Sequence, residues 1–148
     1  MEEYGGFLIL DAFAESEVPS FDDLYLNTSW TNMIIRDTPV PRKFSFQTEV
    51  VGKIPLYRHS ANYVSHPIPY STNIQRLVKA LRRKYTSIGE NTAILQLYMN
   101  DSKSSIGEHA DKSLDTGENG VYIYSLGATR RMIFRKKDII NSNEVFLR

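Results

Sequence analysis

Cysteine is absent from the 148-residue chain. Its absence excludes disulfides and thiolate metal sites and fits a reducing compartment. No apolar run approaches the roughly 18 residues that a membrane-spanning helix needs. The start, Met1-Glu2-Glu3-Tyr4-Gly5-Gly6, is acidic and lacks the basic and apolar regions of a secretory leader. The expectation is an intracellular protein, nuclear or cytoplasmic, neither secreted nor held in a membrane. A strong charge of one sign is also missing: the net charge is +1, so bulk electrostatics does not announce nucleic acid. Internal repeats and low-complexity stretches are missing as well.

What is present is an ordinary apolar fraction of 41%, with nine tyrosines and seven phenylalanines. A chain of this length and composition reads as one globular domain over residues 1–148, able to bury a real core. The charge is uneven. Arg76, Lys79, Arg82, Arg83 and Lys84 form one basic cluster, and Arg130, Arg131, Arg135, Lys136 and Lys137 form another. Each reads equally as a phosphate-contacting surface or as a solvated helix face and strand end.

Phe7 to Leu10 has the pattern of a short apolar strand. Ser20 with Asp23 three residues on predicts a helix start, with Phe21, Leu24 and Tyr25 on one stripe and an end near Ser29-Trp30. Thr38-Pro39-Val40-Pro41 is incompatible with a central strand and predicts a turn into an extended piece, Arg42 to Val51. Pro55 to Pro69 reads as a long ordered loop. Ser71 caps the clearest helix, with Ile74, Leu77, Val78, Leu81 and Tyr85 on one face, and Gly89 ends that unit. From there the period switches to two. Strands are expected at Ala93–Tyr98, Ser105–Asp111, Val121–Leu126 and Arg131–Arg135, with polar turns at Asn100-Asp101-Ser102 and Leu114–Gly120. Helices followed by consecutive short strands predict an α+β fold, its strands forming part of a sandwich or barrel.

The most informative stretch is Ile106-Gly107-Glu108-His109-Ala110-Asp111. In a strand, His109 and Asp111 project to one face while Ala110 turns away. An imidazole and a carboxylate so placed make two thirds of the two-histidine, one-carboxylate triad that holds non-heme Fe(II). Taken alone, the pair also reads as an ordinary surface His-Asp pair.

Three motifs accompany it in order: Leu95-Gln96-Leu97-Tyr98 with Asn100-Asp101, then the His109 segment, then Tyr124-Ser125-Leu126-Gly127-Ala128-Thr129-Arg130 with Phe134-Arg135. Upstream lie Pro39-Val40-Pro41-Arg42-Lys43 and Tyr57-Arg58-His59-Ser60. Over residues 20–137 this string resembles the AlkB-like family of Fe(II)- and 2-oxoglutarate-dependent dioxygenases. The resemblance implies a double-stranded β-helix, or jelly-roll, core with supporting helices. It also implies Fe(II), 2-oxoglutarate and O2, and oxidative demethylation of alkylated bases in DNA or RNA.

Carried over residue by residue, the resemblance makes His109 and Asp111 iron ligands and Tyr98 a hydroxyl that helps hold 2-oxoglutarate. Gln96 stands where the family usually has asparagine and offers the same amide one methylene further out. Tyr57 and His59 match positions that pack against a flipped base, where stacking offsets the few kcal/mol of extrusion. Arg42 and Lys43 match a lid that grips the strand. From the residues alone, Tyr98 equally reads as a core residue, His59 as an exposed loop residue, and Arg42 and Lys43 as solvated strand ends.

Two departures stand out. Lys112 and Ser113 follow Asp111 where nucleic-acid repair members often carry acidic residues, so base specificity does not transfer. The family's second iron histidine and its 2-oxoglutarate arginines would follow Arg148. The resemblance therefore implies a C-terminally incomplete jelly roll, prone to self-association through unpaired strands. Its alternative function is that of a catalytically inactive module binding nucleic acid or protein.

Overall fold

The computed structural model describes residues 9, 12–35, 37–49, 57–60, 63–85, 92–101, 103–109, 121–135 and 142–147. The first helix starts where the Ser20–Asp23 spacing predicts. The Asp23 amide donates to the Ser20 hydroxyl at 3.1 Å, and the Ser20 amide donates to the Asp23 carboxylate at 3.0 Å. This box satisfies amides that the first helical turn leaves without partners. The Ser20 amide, then its hydroxyl, hold the Asp23 carboxyl below its ordinary range. Helix α1 covers Phe21–Asn27 and stops before the expected Ser29-Trp30. The Trp30 indole N–H donates to the Tyr25 carbonyl at 2.9 Å, taking the acceptor that a continued helix would offer to the residue-29 amide.

Strands β1 (Thr31–Ile35) and β2 (Thr38–Thr48) form an antiparallel hairpin. At its turn Asp37 takes a φ of 61°, a left-handed conformation that aspartate tolerates better than most residues. The predicted turn at Thr38–Pro41 is part of β2, and the reason both prolines fit is visible in the pairing. Strand β6 (Thr92–Leu97) pairs with β2 only from Lys43 to Thr48. Pro39 and Pro41 therefore lie where β2 has a neighbour on one side alone, and their missing N–H groups break no second ladder.

The stretch expected to be a loop, Pro55 to Pro69, contains strands within its described part. Strands β3 (Tyr57–Ser60) and β4 (Tyr63–Ser65) pair antiparallel, with a register shift between Arg58 and Ser60. Strand β5 (Ile68–Pro69) joins β2 in parallel through Gln47↔Ile68 and Thr48↔Pro69. Because β6 occupies one edge of β2, β1 and β5 share its other edge, and the result is an open four-stranded sheet.

Helix α2 (Thr72–Lys84) forms as its apolar stripe predicts and buries Ile74, Leu77, Val78 and Ala80. It ends with the Tyr85 amide on the Leu81 carbonyl at 2.8 Å, and Gly89 lies outside the described residues. Tyr70, Ile74 and Val78 pack with Leu24, Ala93 and Leu95, so α2 covers the sheet face that carries the odd-numbered residues of β6. Gln47, 1% exposed, projects to that face and accepts the Ser71 amide at 2.8 Å. This fixes the helix start to β2. The opposite face carries Phe44 and Phe46, packed with Met33, Ile35, Val40 and Ile94.

Two predicted strands are not paired among the described residues. Residues 103–109 follow an irregular path. The carboxylate of Asp101 accepts the Lys103 amide at 2.9 Å and also the Ser104 amide, and the Ser104 hydroxyl accepts the Met99 amide at 3.0 Å. These side chains hold the turn that leads into residues 105–109. Residues 121–126 are also unpaired and dock by their aromatic rings. Tyr124 meets Phe13 edge-on at 5.9 Å, and Tyr122 lies 6.0 Å from Tyr85. The expected last strand is present as β7 (Arg130–Arg135), paired antiparallel with a strand that the periodicity did not predict, β8 (Ser142–Leu147). Of the predicted Phe7–Leu10 strand only Ile9 is described, unpaired and exposed. The architecture is mixed α+β with an open sheet. No helix among the described residues is long and apolar enough to cross a membrane.

Candidate active site

Gln96 and Tyr98 are two residues apart at the end of β6, so their side chains share the face that carries Phe44 and Phe46. Arg42 lies on that same face of β2. Its Nε donates to Gln96 Oε1 at 2.8 Å, and the Tyr98 hydroxyl donates to the same oxygen at 3.0 Å. A second Arg42 nitrogen donates to the Ser105 carbonyl at 3.2 Å. Arg130 closes the other side. Its guanidinium donates to the Ser104 carbonyl at 3.0 Å and to the Met99 carbonyl, and sits 5.5 Å from the centre of the Tyr98 ring.

Two cations therefore surround one phenol. Burial pushes the Tyr98 hydroxyl above its ordinary range, with Arg42 and Arg130 opposing that rise. The phenol stays protonated at neutral pH. Among the described contacts, Arg42 and Arg130 bond to an amide and to carbonyl oxygens, not to carboxylates. Asp101, depressed first by the Ser104 amide, stands within electrostatic reach of Arg130.

The same arginines hold the path to His109. Carbonyls of Met99, Ser104 and Ser105 go to guanidinium groups, and Glu108 pairs with Arg135 at 3.2 Å. His109 is exposed, and its Nδ1 lies 2.8 Å from the Gly107 carbonyl. A carbonyl only accepts, so Nδ1 carries the proton and Nε2 carries the lone pair in the neutral ring. Metal-binding histidines commonly have this arrangement, the second nitrogen fixed by a backbone carbonyl. Asp111 lies outside the described residues, and no metal-sized group of three His, Cys, Asp or Glu side chains occurs among the described ones. The strand alternation that puts His109 and Asp111 on one face is not supported by a ladder over 105–109. His109 and Asp111 would supply two of the three protein ligands of an Fe(II) facial triad.

The remaining predicted residues are spread differently from expectation. Arg42 and Lys43 are neighbours in a strand and project to opposite faces, so they cannot grip one ligand from one side. Arg42 turns inward to Gln96, a placement the sequence hinted at only through its alternation with Phe44 and Phe46. Tyr57 and His59 lie in β3, beside the register shift of the β3–β4 hairpin.

The basic cluster on α2 is a solvated helix face, with Arg76, Lys79, Arg83 and Lys84 exposed, and Arg76, Arg82, Arg83 and Lys84 make defined contacts on it. Arg82 pairs with Glu49 through two bonds at 2.9 and 2.6 Å, and Arg83 pairs with Glu17 at 2.9 Å. Arg76 donates to the Ser16 carbonyl and Lys84 to that of Ala12. Arg76, Arg83 and Lys84 staple residues 12–17 to α2. An open groove of about 540 Å³ beside α2, lined by Tyr70, Gln75, Lys79 and Arg82, contains none of the predicted site residues.

Residues 12–147 match the family model of the 2OG-Fe(II) oxygenase superfamily. The chain belongs to that superfamily, and membership implies Fe(II), 2-oxoglutarate and O2. No curated protein and no solved structure matches the chain.

Proposed function

We propose that the protein is an AlkB-like dioxygenase that oxidatively demethylates alkylated bases in DNA or RNA, on a double-stranded β-helix scaffold. The observation that carries this reading is the joining of Gln96, Tyr98 and the His109 segment through Arg42. These elements belong to two separate motifs of the sequence string. Bound Fe(II), with 2-oxoglutarate and O2, supplies the oxidising power to hydroxylate an N-methyl carbon. The product then releases formaldehyde and the repaired base, while 2-oxoglutarate becomes succinate and CO2.

The chain's own residues have separable tasks. His109 offers Nε2 to the metal, with its ring set by the Gly107 carbonyl, and Asp111 is the proposed second ligand. Tyr98 offers a protonated hydroxyl to a carboxylate of 2-oxoglutarate, in the field of Arg42 and Arg130. Tyr57 and His59 in the β3–β4 hairpin are the proposed stacking partners of the extruded base.

The direct test is formaldehyde release from a short N-methylated single strand, with Fe(II), ascorbate and 2-oxoglutarate. The reading expects release that requires both Fe(II) and 2-oxoglutarate. Succinate formation without formaldehyde would move the substrate outside nucleic acid. A flat dependence of strand affinity on salt would do the same, because phosphate contacts release counterions.

A further inference from the structure

We infer that Arg42 is a positioning residue that makes the Tyr98 hydroxyl proton available to a carboxylate ligand, by holding the carboxamide oxygen of Gln96 in its place. The inference rests on reading Tyr98 as a 2-oxoglutarate contact. It begins from a conflict in the hydrogen bonding. A phenol has one proton, and the Tyr98 proton is directed at Gln96 Oε1, 3.0 Å away. While it stays there, Tyr98 presents only lone pairs to a ligand, and lone pairs repel a carboxylate.

For the hydroxyl to serve a carboxylate its proton must swing away from Gln96. The swing leaves a carboxamide oxygen to be satisfied, and Arg42 Nε already satisfies it at 2.8 Å. The exchange then replaces a neutral hydrogen bond with a charge-assisted one, which is the stronger of the two. Without Arg42, Gln96 Oε1 is left to Tyr98 and to solvent, since Gln96 is exposed, and the ligand must compete with the Tyr98–Gln96 bond. The same guanidinium reaches the Ser105 carbonyl at 3.2 Å, so the carboxamide and the backbone leading to His109 are fixed by one side chain. Glutamine, one methylene longer than asparagine, reaches Arg42 and Tyr98 together. Arg42 therefore acts through Gln96 and Tyr98 rather than by touching the ligand.

The test measures 2-oxoglutarate binding to the full chain by titration calorimetry, with Mn(II) replacing Fe(II) to prevent turnover. Arg42→Leu is expected to weaken binding about tenfold, the loss of roughly one hydrogen bond. Arg42→Lys keeps a donor for Gln96 and is expected to recover most of that affinity. In a Tyr98→Phe background no hydroxyl remains to be sequestered, and Arg42→Leu is expected to add a clearly smaller loss, that of its charge alone. An equal loss in both backgrounds would overturn the inference, as would wild-type affinity in Arg42→Leu. Either result leaves the oxygenase reading standing, whereas a wild-type chain that binds no 2-oxoglutarate overturns both. Arg42→Met replaces Arg42→Leu if the latter does not fold, with the same expectation in each background.

Discussion

Gly127 lies in the motif that leads to Arg130, and replacing it with alanine separates two physical effects. Its φ is +92°, and an added Cβ would stand 3.0 Å from Phe21 Cδ2 and 3.3 Å from Cε2. The left-handed backbone alone disfavours an L side chain by roughly 1–2 kcal/mol. The contact is with a ring that is 41% exposed and can tilt away. Relief of that contact needs only a few tenths of an ångström, so strain is the larger effect. Gly127→Ala is therefore expected to lower unfolding stability by about 1–2 kcal/mol. Urea titration read by circular dichroism measures it, in the wild-type and Phe21→Ala backgrounds. Most of the loss is expected to persist in Phe21→Ala. A loss that vanishes there would show that the ring contact dominates and would refute the reasoning.

Gln47→Leu removes a buried acceptor from the Ser71 amide at the start of α2 and is expected to destabilise the chain by about 1–3 kcal/mol, read by the same titration. Glu49 is held below its ordinary value of 4.5, first by its hydrogen bond from Arg82. A depressed carboxyl contributes stability above its unfolded pKa and loses it as pH falls through the folded value. The difference in Tm between wild type and Glu49→Gln is thus expected to be small at pH 7, since both side chains are partly exposed, and to close below about pH 4. A difference that widens on acidification would contradict the sign. Arg130→Leu removes the guanidinium from the Met99 and Ser104 carbonyls, and faster hydrogen exchange is expected across 99–105, with little change in α2.

The helices were legible because their signals are local. Ser20 and Asp23 meet within one turn, and the stripe Ile74, Leu77, Val78, Leu81 needs only a period of 3.6 to be read. The strand at 93–98 was legible for the same reason. The β3–β4 hairpin was not, since prolines and asparagine around Tyr57–Ser65 speak for a loop and the pairing partner is set by tertiary context. The segment 105–109 shows the opposite failure: alternation suggested a strand, but no ladder forms over it among the described residues, and its Ser105 carbonyl and Glu108 carboxylate go to Arg42 and Arg135. At the site, sequence order singled out Gln96, Tyr98 and His109 as candidates. It could not place Arg42 beside them, because that contact depends on the Phe44↔Gln96 register of β2 and β6. Nor could it show that Arg76, Arg82, Arg83 and Lys84 of the α2 cluster reach Glu17, Glu49 and backbone carbonyls.

The central claim is that this chain holds Fe(II) through His109 and turns over 2-oxoglutarate at the Gln96–Tyr98 site. Succinate formation with Fe(II), ascorbate, O2 and 2-oxoglutarate tests it most directly, with wild type compared against His109→Ala. The account predicts iron-dependent turnover in the wild type that drops by more than about a hundredfold in the variant, because the metal loses a ligand. Equal rates in the two proteins, at any level, would contradict it.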